Sequence, residues 1–296
     1  RVPPTSSCSI TLVRLPMSDA VQPLELEVAA DDGHRWHVLA RIPAKLTASL
    51  LWLPALGIAA KHYLPFAEAL AARGIAVFIH EWRGHGSSNL RADRRHNWGY
   101  RELLTHDLPA SETLIEKHVP GLPGIIGGHS LGGQIACCRL ALSPNSAGRL
   151  WLVASGSPYW RVFPMPNKLW LPLAYRFLPW LARVEGALAG RRIGFGGQEA
   201  RGLIEDWSRS GLSGRYAAAG LDIDLEAALG ALVVDTHAIA FDRDWLGPES
   251  SLNFLLSKMR HAPRQVEVFH ESRLGARADH YTWMKQPHAV VSSLLG

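Results

Sequence analysis

Residues 24–29 alternate apolar and acidic side chains, and residues 36–42 alternate again beyond Asp31-Asp32-Gly33. Period-two alternation on both sides of an Asp-Gly turn predicts a β-hairpin with one buried face. The pattern then changes. Residues 50–53 are a continuous apolar run, as expected of a strand covered on both faces. Residues 63–73 place Leu64, Phe66, Ala67, Leu70 and Ala71 on one side of a helix that Gly74 stops, and residues 75–79 are again wholly apolar. Strand, helix and strand at that spacing predict a right-handed parallel unit. A helix over about 107–118, a strand entering Ile125-Ile126-Gly127, a helix over 134–142 and strands at 149–154, 236–241 and 265–269 continue the alternation. The predicted fold class is α/β, a mostly parallel, doubly wound sheet with helices on both faces.

Between residues 156 and 231 this rhythm stops. Pro158, Trp160, Pro164, Pro166, Trp170, Pro172, Pro179 and Trp180 crowd an interval too long for a loop. They predict a helical cap inserted between two parts of one core, residues 17–155 and 232–296. Residues 169–181 are apolar nearly all round, interrupted by Arg176 and two prolines. Such a helix is either sandwiched between other elements or laid against a ligand or membrane surface. A lid over the active site is the reading adopted, because the stretch is short for an anchor and its basic face is weak. Residues 1–16 lack an initiating Met, a long apolar core and a small-residue cleavage site. Met17 is a natural start, so residues 1–16 are read as non-native sequence or a flexible arm.

Composition changes this picture little. The chain has 296 residues, 47% of them hydrophobic, enough for one large core. A formal charge of +5 and a pI of 9.3 raise a nucleic-acid reading. The basic residues are scattered, with small groups at Arg91, Arg94, Arg95 and at Arg191, Arg192, and no nucleic-acid motif accompanies them. No segment holds the run of about 18 apolar residues that a spanning helix needs. The cysteines are Cys8, Cys137 and Cys138, with no disulfide framework, which fits a reducing, cytoplasmic compartment. No spacing of His, Cys and Asp suggests a metal, and no cofactor is implied. A homodimer is left open.

Candidate chemistry centres on Gly128-x-Ser130-x-Gly132, between an apolar strand and a helix. A serine on so sharp a strand-to-helix turn needs strained dihedrals, and neighbours two residues away must be nearly bare for strand and helix to pack. The helix that follows aims free N–H groups at the turn, where developing negative charge is stabilised. The bland alternative is a glycine-rich turn carrying an ordinary serine. Among the fourteen histidines, His34, His96, His106, His261 and His288 are read as surface residues.

With these motifs the chain resembles the α/β-hydrolase superfamily from about Leu24 to its end. Leu51-Trp52-Leu53-Pro54-Ala55-Leu56-Gly57 lies where the family carries its oxyanion loop, usually written with His-Gly. Glu81-x-Arg83-Gly84-His85-Gly86-x-Ser88 is similar to the family's Asp-x-Arg-Gly-x-Gly-x-Ser loop. The run from Leu152 to Arg161 is similar to a subgroup of bacterial predicted α/β-hydrolases with a helical cap. The resemblance implies the chain order Ser, acid, His. It makes Ser130 the nucleophile and His280, after the last strand, the base. Asp244, with Pro248 four residues on, is the acid, with Asp242 as alternative; either could instead cap the next helix. The N–H groups of Leu56 and Leu131 are implied as the oxyanion hole, and His129, Tyr159, Trp160, Trp170, Tyr175 and Trp283 as substrate pocket. Two departures stand out: Pro54-Ala55 replaces His-Gly, and Glu81 replaces Asp. The implied function is a serine hydrolase of a small-molecule ester or thioester with an apolar acyl group. An acyltransferase and a non-catalytic ligand binder are the alternatives.

Overall fold

A computed structural model describes residues 21–296, so the readings for residues 1–16 and Cys8 lie outside the described residues. The predicted hairpin is present as β1 (Gln22–Ala29) and β2 (Arg35–Ile42), antiparallel in register Val28 to Trp36. β3 (Ala48–Leu53), α1 (Leu64–Ala71) and β4 (Ile75–Ile79) form the parallel unit, and both strands are buried at every residue. The polar loop after β4 leads to α2 (Tyr100–Glu102), a π-helical turn over Leu103–Asp107, and α3 (Leu108–His118). β5 (Gly124–His129), α4 (Leu131–Leu142) and β6 (Arg149–Val153) follow. Residues 154–234 then hold α5 (Asn167–Glu185), a two-strand ribbon β7 (Leu188–Ala189) and β8 (Gln198–Glu199), α6 (Arg201–Ser213) and α7 (Leu225–Ala231). The chain returns to the sheet with β9 (Asp235–Phe241), α8 (Glu249–Lys258), β10 (Arg264–Phe269), α9 (Glu271–Leu274) and α10 (His288–Leu295).

The eight-stranded sheet has the order β1-β2-β4-β3-β5-β6-β9-β10, parallel from β4 onward. Apolar side chains leave it on both faces. One cluster joins β3 and β5 to α4, α7 and α8; the other joins the same strands to α1 and α10. This two-sided core is why the central strands read as apolar runs while β1 and β2 alternate. α5 runs unbroken through Pro172 and Pro179 and packs on α6.

The polar loop after β4 is tied down by a buried charge network. Arg83 donates from Nε and Nη2 to the Asp107 carboxylate at 2.8 and 2.7 Å, and Nη2 also reaches Asp32 at 2.6 Å. His34 Nδ1 donates to Asp107 at 2.9 Å, and its Nε2 accepts from Ser88 at 3.0 Å. His34 is therefore no surface residue: it is fully buried and stacked on Trp36. Its partners are far away in sequence, so nothing local marked it. Asp107→Ala should leave the His34 Nδ1–H without its acceptor and the buried Arg83 with Asp32 as its remaining carboxylate, and cost about 3–5 kcal/mol. Urea denaturation reads this; an unchanged midpoint would mean that the network contributes nothing net.

Candidate active site

Ser130 sits between β5 and α4 with φ 56° and ψ −118°, a region that side-chain-bearing residues rarely enter. A methyl group on Gly128 would overlap the Gly132-Gly133 main chain, and one on Gly132 would overlap the carbonyls of Leu53 and Pro54. Those overlaps are the physical content of Gly-x-Ser-x-Gly here: the first turn of α4 rests against the end of β3. Ser155 donates to the Ser130 carbonyl at 2.7 Å and holds the turn from the β6 side.

The loops after β9 and β10 bring Asp244 and His280 together. His280 Nδ1 donates to Asp244 Oδ2 at 2.7 Å, and both side chains are buried. The other Asp244 oxygen accepts from the N–H groups of Leu246 and Gly247, each at 2.9 Å, so the carboxylate is fixed from both ends. Asp242 pairs instead with the exposed His270. Ser130 and His280 face one cavity of about 510 Å³, which Leu56 and Leu131 also line. All four lie beyond the carboxyl ends of strands, where an open α/β sheet presents its crevice.

The loop after β3, which lacks a His-Gly pair, is held by side chains from elsewhere. Ala55 N–H donates to the Tyr63 hydroxyl at 2.8 Å, and that hydroxyl donates to His129 Nδ1 at 2.8 Å. Trp82 Nε1 donates to the Pro54 carbonyl at 2.9 Å. Gly57 makes the turn at φ +75°, pressed against the Gly196-Gly197 backbone. Leu131, first in α4, has no helical carbonyl behind it to receive its N–H.

The model of the family described as "Serine aminopeptidase, S33" matches residues 45–205, more than half of the sequence. The chain belongs to this family of α/β hydrolases. It is a serine hydrolase. No curated protein sequence matches it. Solved structures of the same fold include a malate-bound esterase from Thermogutta terrifontis, 15% identical, with TM-score 0.62 over 93% of this chain and 97% of that one. A deformylase from Pseudomonas putida S16 has 15% identity and TM-score 0.59 over 92% and 100%. An esterase from Pyrococcus furiosus has 17% identity and TM-score 0.58 over 99% and 94%.

Of the six residues expected in the hydrolase's pocket, the cavity is lined by Trp170 and Tyr175 and not by the other four. His129 is fully buried beside Tyr63, because alternation along β5 turns the residue before Ser130 into the opposite sheet face, and Trp283 is buried against both rings. Tyr159 packs on Phe254 with the rings tilted, and Trp160 packs beside Phe163 and Leu171 under an Arg161 cation. The reasoning from sequence missed Gln134, Phe195, Trp207 and Trp245, all in the lining. Gln134 is 5% exposed and its Oε1 has no protein partner. Its one signal was a polar residue one turn past Ser130, in a helix whose other polar side chain is Arg139.

Behind the loop, residues 190–199, including the Gly194-x-Gly196-Gly197 stretch, are buttressed by titratable groups. Glu199 accepts from Gly197 N–H at 2.6 Å and faces His85 Nε2 at 3.3 Å. Burial pushes the Glu199 carboxyl up to about 7 and holds the His85 imidazole down to about 4. Between about pH 4.5 and 7 the folded protein keeps a proton on Glu199 that the unfolded chain gives up, so this group's contribution to stability falls as pH rises. His85 acts in the opposite sense between about 4 and 6.5, since the unfolded chain holds the extra proton. Glu199→Gln should remove only the descending part. Denaturation at a series of pH values should find the variant gaining on the wild type from pH 4.5 to 7, and a flat difference would refute the assignment.

Proposed function

We propose that this hydrolase cleaves a carboxylic ester or thioester bearing an apolar acyl group, by way of an acyl-enzyme on Ser130. The observation that carries the proposal is the buried Asp244–His280 hydrogen bond beside the cavity into which Ser130 is turned. Asp244 holds the His280 ring with Nδ1–H occupied, leaving Nε2 as the base that takes the Ser130 proton. Ser130 attacks the carbonyl, and the N–H groups of Leu131 and Leu56 receive the oxyanion, each such donor contributing on the order of 3 kcal/mol. Imidazolium protonates the leaving group, and a water activated by His280 releases the acid. Residues 156–231, the expected cap, roof the cavity through α5.

The character of the cavity favours a neutral acyl group. Its walls include Phe163, Leu171, Tyr175, Leu178 and Trp207, and among the described residues that line it none is Asp, Glu, Lys or Arg. The family's name refers to aminopeptidases, whose substrates carry a free ammonium group. An ammonium group here would be buried without a carboxylate to receive it.

Ser130→Ala should abolish turnover and fluorophosphonate labelling, with folding intact by circular dichroism; labelling that survives would remove Ser130 from its role. Asp244→Asn should lower kcat by roughly 10⁴-fold, as loss of the orienting acid does in serine proteases. Asp242→Asn should change it little, and the reverse ranking would transfer the role. Along a nitrophenyl ester series, kcat/KM should rise about fourfold per methylene until the cavity is full. A flat or falling series from acetyl onward would exclude an apolar acyl site.

A further inference from the structure

α5 is apolar on two opposite faces. Leu171, Tyr175, Leu178 and Ala182 are buried against the protein. Leu169, Leu173, Phe177, Trp180 and Val184, spaced four, four, three and four residues apart, form a continuous stripe on the other side. They are 51% to 68% exposed. None of these five lines the cavity, so the surplus apolar surface of the helix, expected from sequence to face the substrate, faces outward. Folded chains rarely leave so large a contiguous patch to water. The stripe is continuous with the cavity mouth, where Trp170 and Trp245, both exposed, lie 6.2 Å apart and Ile193 is also exposed.

This part of the chain is strongly basic. Residues 160–193 contain six basic side chains, Arg161, Lys168, Arg176, Arg183, Arg191 and Arg192, against the single acid Glu185. That excess equals the formal +5 of the whole chain, so the rest of the sequence is balanced. Among the described residues only Arg183 of the six is in an ion pair, with Glu205. A basic, aromatic-bearing helix with an outward apolar face has the composition of a segment that lies in a lipid headgroup layer. No described helix is long and apolar enough to cross a membrane.

We propose that the outer face of α5 docks on an anionic lipid surface, which points the mouth of the Ser130 cavity at lipid and makes a membrane-dissolved acyl ester the substrate presented to it. A second copy of the chain fits less well, because face-to-face pairing would bring two basic sets together. The substrate clause rests on the function proposed above; the docking does not.

Flotation of the full chain with phosphatidylcholine vesicles, and with vesicles of equal parts phosphatidylcholine and phosphatidylglycerol, tests this. Wild type and Ser130→Ala should float equally with the anionic vesicles and little with the neutral ones, and high salt should reverse binding. The variant Leu169→Gln/Leu173→Gln/Phe177→Gln should stay in the soluble fraction while keeping turnover of a water-soluble short ester. Arg191→Gln/Arg192→Gln should bind roughly thirtyfold more weakly. Absence of flotation, flotation unchanged in the triple variant, or a concentration-dependent dimer that the triple variant abolishes would each overturn the docking. Flotation of a protein that fails to label with fluorophosphonate would instead overturn the catalytic reading alone.

Discussion

The close approach of α4 to the end of β3 is the contact from which the rest of the site is built. Gly132 lets α4 meet β3 with no side chain between them, Gly128 does the same where β5 meets α4, and these absences let Ser130 stand at φ 56° above the sheet. A turn so strained persists only when its surroundings over-determine it. Ser155 holds it from β6, the sheet clamps β5 on both edges, and α4 is buried along most of its length. The rigidity of the parallel core is thus transmitted to one serine.

The loop after β3 depends on the same contact, because its carbonyls at Leu53 and Pro54 are what Gly132 accommodates. Where the family pattern has His-Gly, this chain fixes the loop with side chains from elsewhere, the Tyr63 hydroxyl and the Trp82 indole. Gly57 then meets Gly196-Gly197, so this loop and residues 190–199 touch main chain to main chain. Glu199 and His85 sit behind that seam, where burial has displaced both from their ordinary titration ranges.

α5 shows how one element can serve two surfaces. Its inner face lines the cavity, and Tyr175 donates to the Pro158 carbonyl at 2.6 Å, fixing the helix to the loop after β6. Its outer face is as apolar as its inner one, and none of the described residues covers it. Burial on one side does not remove the free-energy cost of the other, and that unbalanced cost is what directs attention to a lipid surface.

Much of this was written locally. Runs of apolar residues marked β3 and β4, alternation marked β1 and β2, and Gly-x-Ser-x-Gly marked the elbow, because burial on two faces, burial on one face and a bare-backbone turn each leave a short-range signature. Boundaries moved by a few residues where a helix began in a π-turn or a 3₁₀ turn. The sequence by itself therefore determined the α/β class, the position of Ser130 and the order in which Asp244 and His280 follow it. Only the tertiary structure decided that Asp244 rather than Asp242 meets His280, that His34 is buried on Asp107, that Gln134 lines the cavity, and that His129 and Trp283 belong to the core. Each of those depends on which side chains from distant segments converge at one point. Chain spacing cannot fix that, because a one-residue change of phase on a strand or a loop turns the same side chain from the site into the core.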